Sequence, residues 1–289
     1  MRILSFGAGT QSTALALMSC ENALAFRDHR DPPHPKVPIY DAVIIVDLGP
    51  ATSWEKRQLE FVRHACQNAG IFFHVIEKNL YKDLIDNYGR KRTVAIPWWT
   101  RMPDGRTGKI GRRACTGDYK IEAVAKYVRW ELLGYKKGQR TRPEDIKAHE
   151  MHIGFSAEEK KRCNLNPNKL FVNRYPLIEM DLSRKDNYQY TLDVWGLDTK
   201  ASSCLFCPFH QNYFFKYLKE NEPDGYQAVL KIDHILRDRK PYYPMAAEMY
   251  ISRNWKRIED LTPDDCNDQT CFAYCGRYSE VPIQVWDGF

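Results

Sequence analysis

The sequence predicts an α/β fold built on a parallel sheet, followed by a cysteine-rich, mostly helical C-terminal subdomain. Three observations carry this. The first 77 residues alternate strand-like and helix-like runs in a β-α-β-α-β order, which closes into a parallel sheet. A Gly-containing turn joins the first strand to the first helix. From residue 198 onward cysteines concentrate and the strand signals fade. The expected domains are 1–197, with a lid-like insertion at 80–113, and 198–289.

Taken in order, residues 2–6 form the first strand and 11–26 the first helix, with a Pro-rich loop at 28–38. Residues 40–49 are a buried strand ending in a turn. Ser53 caps a helix that presents Leu59, Val62, Ala65 and Cys66 on one face and stops at Gly70. Residues 71–77 are the third strand. The basic, aromatic, Gly-rich stretch 80–113 reads as a long loop or lid over the carboxyl ends of the strands. A helix is expected over 115–134, a strand over 150–155, extended chain over 169–180 and a Ser183-capped helix to 196. Helices over 210–221, 223–238 and 244–250 complete the chain.

Composition narrows the function classes. At 43% hydrophobic the 289 residues can bury a substantial core, yet no run of eighteen apolar residues exists, so no membrane span is expected. A secretory leader pattern is absent, and a cytoplasmic location is expected. Nine cysteines without secretion point away from a disulfide framework and toward metal or redox chemistry at the close spacings. Net charge is +6, concentrated in three basic clusters: Arg90, Lys91 and Arg92; Arg101, Arg106, Lys109, Arg112 and Arg113; and Lys136, Lys137, Arg140 and Arg142. Such clusters fit either polyanion contact or solvated loops.

The turn after Phe6 is the first candidate site. Gly7 and Gly9 are expected to adopt dihedrals that other residues resist and to admit a ligand to the backbone. Amides of residues 8–13 then lie at a helix N-terminus, where unpaired N–H groups and the helix dipole favour an anion, with Thr10, Gln11, Ser12 and Thr13 adding hydrogen bonds. The loop is neither a Walker A loop nor the three-glycine dinucleotide fingerprint. A tight turn without ligand is the alternative.

Asp47, at the carboxyl end of the second strand, suits a ribose, a base, Mg²⁺ or a plain turn cap. Glu158 and Glu159 either bind metal, position Arg162, or form the first turn of a helix capped by Ser156. Lys120, one turn past Cys115, meets a phosphate or sulfate, or is solvated. Trp98 and Trp99, between Arg92 and Arg101, suit stacked bases or packing within the lid, while Tyr213, Phe214 and Phe215 suit a core. Cys20 and Cys66 fall on apolar helix faces as buried, inert thiols, and Cys163 and Cys266 in loops or on the surface. Cys204 and Cys207 have ligand spacing, and Cys271 and Cys275 form a second pair. Spacing alone favours a closed zinc site of these four; ordinary thiols are the other option. No Ser/His/Asp triad or His-Glu-x-x-His motif is present.

"SFGAGTQST" resembles the pyrophosphate loop of the PP-loop superfamily, the adenine nucleotide alpha hydrolases, whose pattern is Ser-x-Gly-Gly-x-Asp-Ser. "VDLGPATSWEKRQLEFV", "CTGDYKIEAV", "CLFCPFH" and "YCGRY" resemble, in order, segments of its phosphoadenosine phosphosulfate (sulfonucleotide) reductase-like branch, and the combination is similar to phage-type members. Gln11 stands where most pyrophosphatases have Asp, Ala51 replaces an acidic residue, and Tyr274 and the lack of His after Gly276 depart from the reductase tail.

The resemblance implies a five-stranded Rossmann-like (HUP) sheet with helices on both faces. It implies that ATP or a related adenine nucleotide, with Mg²⁺, binds at Ser5, Gly7, Ala8, Gly9, Thr10, Gln11, Ser12, Thr13 and Asp47. Cys115 would join Cys204, Cys207 and Cys271 around a 4Fe-4S cluster, with Cys275 as the alternate ligand and zinc as the alternative to the cluster. Cys275, Lys120 and Asp47 are the implied catalytic residues. Arg112, Arg113, Glu159 and Arg162 are the implied substrate contacts. The implied activity is adenylation of a nucleic-acid or nucleoside substrate followed by sulfur transfer, with a tRNA or DNA partner and a sulfur or electron donor protein. The alternatives are a sulfonucleotide reductase-like thiol enzyme, or a nucleotide or nucleic-acid binding module with structural zinc.

Overall fold

The computed structural model describes residues 1–87, 96–109, 114–238 and 247–266. In chain order the elements are β1 (Arg2–Ser5), α1 (Thr10–Arg27), β2 (Ala42–Asp47), α2 (Ser53–Ala69), β3 (Phe72–Glu77), α3 (Leu80–Asn87), β4 (Trp99–Arg101), β5 (Thr107–Lys109), α4 (Glu122–Tyr127), β6 (His149–Ile153), β7 (Phe171–Arg174), α5 (Pro176–Glu179), α6 (Arg184–Trp195), α7 (Asn212–Asn221), α8 (Pro223–Asp238) and β8 (Glu248–Tyr250). Two compact units result. One holds residues 1–47, 54–77 and 122–202; the other gathers 48–53, 78–121 and 203 onward.

The first unit is the predicted sheet. Five strands run parallel in the order β3-β2-β1-β6-β7. Successive residues alternate between its two faces, as strand geometry demands. Leu4, Val43 and Ile45 enter one core with α1, α2 and Leu177. Their neighbours Ile3, Ala42 and Ile44 enter the other with Val124, Ala125 and Val128. Both faces are covered, so β2 reads as the unbroken apolar run "AVIIV" rather than as an alternation.

Helix α1 lies on the first face and is buried nearly all round: thirteen of its eighteen residues are inaccessible. Helix α6 packs on it. Ser183 caps α6 through a reciprocal box with Asp186, whose carboxyl is held below its ordinary value by the Ser183 hydroxyl and amide, and Gly196 closes the helix in the left-handed region. Cys20 and Cys66 meet across α1 and α2 with sulfurs 3.9 Å apart, both fully buried; that contact and burial push the Cys20 thiol far up, which makes it unreactive.

The chain turns back after β3. Strands β1, β2 and β3 step outward on one side, and β6 and β7 continue on the other. The carboxyl ends of β1 and β6 therefore flank the point where strand order reverses, the usual ligand crevice of an open α/β sheet.

The second unit departs from expectation in two places. Within 80–113, expected as a loop or lid, α3 and an antiparallel β4–β5 hairpin form instead. Its tip is Asp104-Gly105, with Gly105 at a φ of +84°, a strong hairpin signal. The predicted helix over 244–250 is a strand where described, because β8 pairs antiparallel with β4, Met249 opposite Thr100. Non-local pairing here overrides helical propensity. Trp98 is buried, which rules it out as a base-stacking platform, and Trp99 donates its Nε1–H to the Pro208 carbonyl at 2.6 Å. Phe214 and Phe215 are core, as expected. Cys266 is buried rather than superficial, its thiol 3.7 Å from the Asn212 carbonyl.

Residues 114–132 are helical throughout, α-helical at 114–115 and Glu122–Tyr127, with wider π turns at Thr116–Ile121 and Val128–Leu132.

Candidate functional site

The loop between β1 and α1 has an unusual backbone. Phe6 still pairs with β2, its amide 2.8 Å from the Ile44 carbonyl. The reversal then falls on Ala8, which has a φ of +53° and is fully buried. The sequence assigned that conformational burden to Gly7 and Gly9. Neither takes it: Gly9 has an ordinary φ of −101°, and Gly7 also lies outside the left-handed region. Gly9 is needed for space instead, since a Cβ there would stand 3.3 Å from the Ser202 amide nitrogen. A buried alanine held left-handed stores on the order of 1 kcal/mol, which its surroundings must offset.

Three contacts do so. The Ser12 hydroxyl accepts from the Gly7 amide at 3.2 Å and donates to the Gly9 carbonyl at 3.1 Å, closing the turn on itself. Gln58, fully buried in α2, donates its side-chain amide to the Ala8 carbonyl and to the Lys200 carbonyl at 3.1 Å. Its carbonyl oxygen accepts from the Lys200 amide at 2.7 Å. Gly154, just past β6, lets that strand's end come within backbone contact of α1: a Cβ there would lie 2.9 Å from the Ser12 nitrogen and 3.1 Å from the Gln11 carbonyl carbon.

The result is a fixed helix N-terminus at the reversal point of the sheet. Gly9, its cap residue, supplies no side-chain hydrogen bond, and the first turn holds no acidic residue. The first-turn amides have no helical carbonyl to donate to, which is the electrostatic requirement for holding a phosphate. Thr13 adds a buried hydroxyl oxygen with no hydrogen-bond partner among the described residues. Asp47 is exposed as the last residue of β2.

Neither protein-family models nor curated proteins match this chain.

Beyond Gly154, Ser156 caps a short 3-10 turn through a reciprocal box with Glu159. Glu159 is nearly buried and gathers donors: the Gln11 amide at 3.1 Å, the Ser156 amide at 3.3 Å, the Arg162 guanidinium, and Arg184 at 3.9 Å. Its oxygens are turned to these donors, and it holds the Gln11 side-chain amide and Arg162 in place. Arg162 also lies over the Phe155 ring, 4.2 Å from its centroid. Gln11, Glu159 and Arg162, separate in sequence, thus form one group.

Replacing Glu159 by Gln is expected to lower unfolding free energy by about 1–3 kcal/mol, because donors then face a donor and two guanidinium groups lose their counter-charge. Urea denaturation checks this, and an unchanged midpoint and slope would contradict it.

In the second unit the Cys204–Cys207 segment is a tight turn, the Cys207 amide 2.9 Å from the Cys204 carbonyl. His210 braces it. Its Nε2 lies 2.9 Å from the Cys204 carbonyl and 3.0 Å from the Ser203 hydroxyl, and its ring stacks on Phe214 at 3.6 Å. Cys115 and Lys120 are half-buried in the 114–132 helical stretch. Among the described residues no three His, Cys, Asp or Glu side chains are grouped to hold a metal ion, so Cys115, Cys204 and Cys207 do not form such a set by themselves. Cys271, Cys275, Arg112 and Arg113 lie outside the described residues.

Sequence reasoning missed Gln58, Lys200, Arg184 and His210. Only Gln58 left a usable signal: it is a polar residue on the buried stripe Trp54, Gln58, Val62, Cys66 of α2.

Proposed function

We propose that this chain is an enzyme of PP-loop type that binds an adenine nucleotide with its phosphates on the amides of residues 8–12, the Thr13 amide being spent on the Gly9 carbonyl at 2.9 Å, and breaks the bond between the α and β phosphates. The observation that carries the reading is the braced N-terminus of α1, without a side-chain cap or an acidic residue in its first turn, at the reversal point of the sheet. In this reading a substrate oxygen attacks the α-phosphorus, the bond to the bridging oxygen breaks, pyrophosphate leaves and an adenylated substrate forms. Loop amides stabilise the added negative charge in the transition state. Arg162, held by Glu159, supplies positive charge near the substrate. Mg²⁺ on the nucleotide phosphates needs only one or two protein oxygens, for which Asp47 is the candidate.

The acceptor in this proposal is a nucleic acid or nucleoside. Sulfide-level sulfur delivered by a donor protein then attacks the adenylated atom, forming the bond to sulfur as the bond to AMP breaks; if the sulfur comes instead as the outer atom of a persulfide on Cys275, a second thiol releases the thiolated product by forming a disulfide with Cys275. The turn at Cys204 and Cys207, with Cys115, Cys271 and Cys275, is the proposed donor set for a 4Fe-4S cluster or a zinc ion; a cluster would supply redox or sulfide chemistry and zinc a structural knot.

The test is pyrophosphate release from ATP with a panel of nucleosides, tRNA and DNA. Release is the expected result, and its absence with every acceptor overturns the reading. Sulfite formed from adenosine phosphosulfate and a thiol would replace it with reductive cleavage. Nucleotide binding without any turnover would replace it with a binding module.

No helix in the described residues is long and apolar enough to cross a membrane.

A further inference from the structure

Residues 134–142 carry four cations and no carboxylate. They are built into a rigid knuckle. Tyr135 is buried between two guanidinium groups, Arg129 at 4.2 Å and Arg142 at 4.5 Å from its ring centroid. Its hydroxyl donates to Asp145 at 2.5 Å and accepts from the Arg142 amide at 2.9 Å. Arg129 also binds the Gln139 carbonyl and, at 3.0 Å, the Thr141 hydroxyl.

The tip is a β-turn, with the Gln139 amide 3.1 Å from the Lys136 carbonyl and Gly138 at a φ of +81°. The Gln139 side chain accepts from the Lys136 amide at 2.9 Å. The framework thus consumes Arg129 and Arg142 and leaves three exposed cations at the tip: Lys136, Lys137 and Arg140. Nearby Lys126 and Arg142 are paired with Glu122 and Asp145, whereas these three form no ion pair among the described residues.

A fold that pairs Arg142 with Asp145, ties Arg129 to the Gln139 carbonyl and the Thr141 hydroxyl, and leaves three adjacent cations without an ion pair among the described residues, on a turn held by six hydrogen bonds, presents positive charge already in place. We infer that this knuckle docks the phosphodiester backbone of a nucleic acid. A row of closely spaced phosphates matches three cations on one short turn. The inference deepens the proposed function by naming where the acceptor docks. It rests on that reading only for what happens to the acceptor once bound.

The test is fluorescence anisotropy with labelled single-stranded and duplex oligonucleotides over a range of salt. Wild type should bind with an affinity that falls steeply with salt. The triple variant K136A/K137A/R140A should bind on the order of 30-fold more weakly near physiological salt, with a salt slope smaller by about 2–3. The charge-keeping variant K136R/K137R should restore both. The substituted side chains are exposed, so the variants should fold, and their affinity for ATP should match wild type. Equal oligonucleotide binding by wild type and triple variant overturns the inference, as does equal competition by polyglutamate or by vesicles of phosphatidylserine. Absence of oligonucleotide binding by wild type with ATP affinity intact overturns this inference alone; absence of ATP affinity in wild type overturns the nucleotide reading instead.

Discussion

Replacing Gln58 by Leu should cost about 3 kcal/mol or more of unfolding free energy and abolish nucleotide binding at α1. Leu fills nearly the same volume, so the loss is one of hydrogen bonds rather than packing. The Ala8 and Lys200 carbonyls and the Lys200 amide all pair with this one side chain. Each buried group left unpaired costs about 1–3 kcal/mol. The same substitution frees the Ala8 carbonyl, which holds that residue in its left-handed conformation. With the restraint gone, Ala8 can relax to negative φ, and the amides after it no longer converge. Urea denaturation and isothermal titration with ATP would measure the two effects. A variant that keeps wild-type stability would show that the amide bridge is not a principal support of the loop.

Gly154→Val should have the second largest effect. Its Cβ would sit 2.9 Å from the Ser12 nitrogen and 3.0 Å from the Ser12 Cα, both backbone atoms that cannot swing aside. Either β6 or the start of α1 must move, at a cost of about 1–3 kcal/mol. Nucleotide affinity should fall at least about tenfold, equivalent to 1.4 kcal/mol. Gly70→Ala is the control. Gly70 has a φ of +74° with nothing within 4 Å of its added Cβ, so that variant loses some stability through backbone strain while ATP affinity stays. Equal loss of affinity in both variants would mean that global destabilisation, not the contact with Ser12, is responsible.

The sheet was legible because its strands are buried on both faces and read as apolar runs, and because Gly and Pro mark the intervening turns. The helix N-terminus after β1 was legible for the same reason. What escaped was decided by distant partners. Nothing around Ala8 says that it, rather than Gly7 or Gly9, bears the positive φ; that follows from Gln58, fifty residues away. Glu159 reads equally well as a metal ligand or a capped first turn until Gln11, Arg162 and Arg184 are seen around it. The segment 80–113 carries the Asp-Gly turn of a hairpin, but its third strand lies about 150 residues downstream, and no local pattern announces that pairing. Cys204 and Cys207 were found from spacing alone, whereas His210, which braces their turn, looks like an ordinary loop residue.

The enclosure of α1 bears on how this protein can evolve. A helix with no free flank cannot be nudged by a surface substitution, and its first turn inherits its coordinates from the core beneath. Drift in the core is therefore transmitted to the anion cradle, while drift on the periphery is not. Under the proposed function, changes of substrate would have to come from the segments that border the loop, at 154–162 and at 198–202, leaving the loop as the constant part around which variants are made.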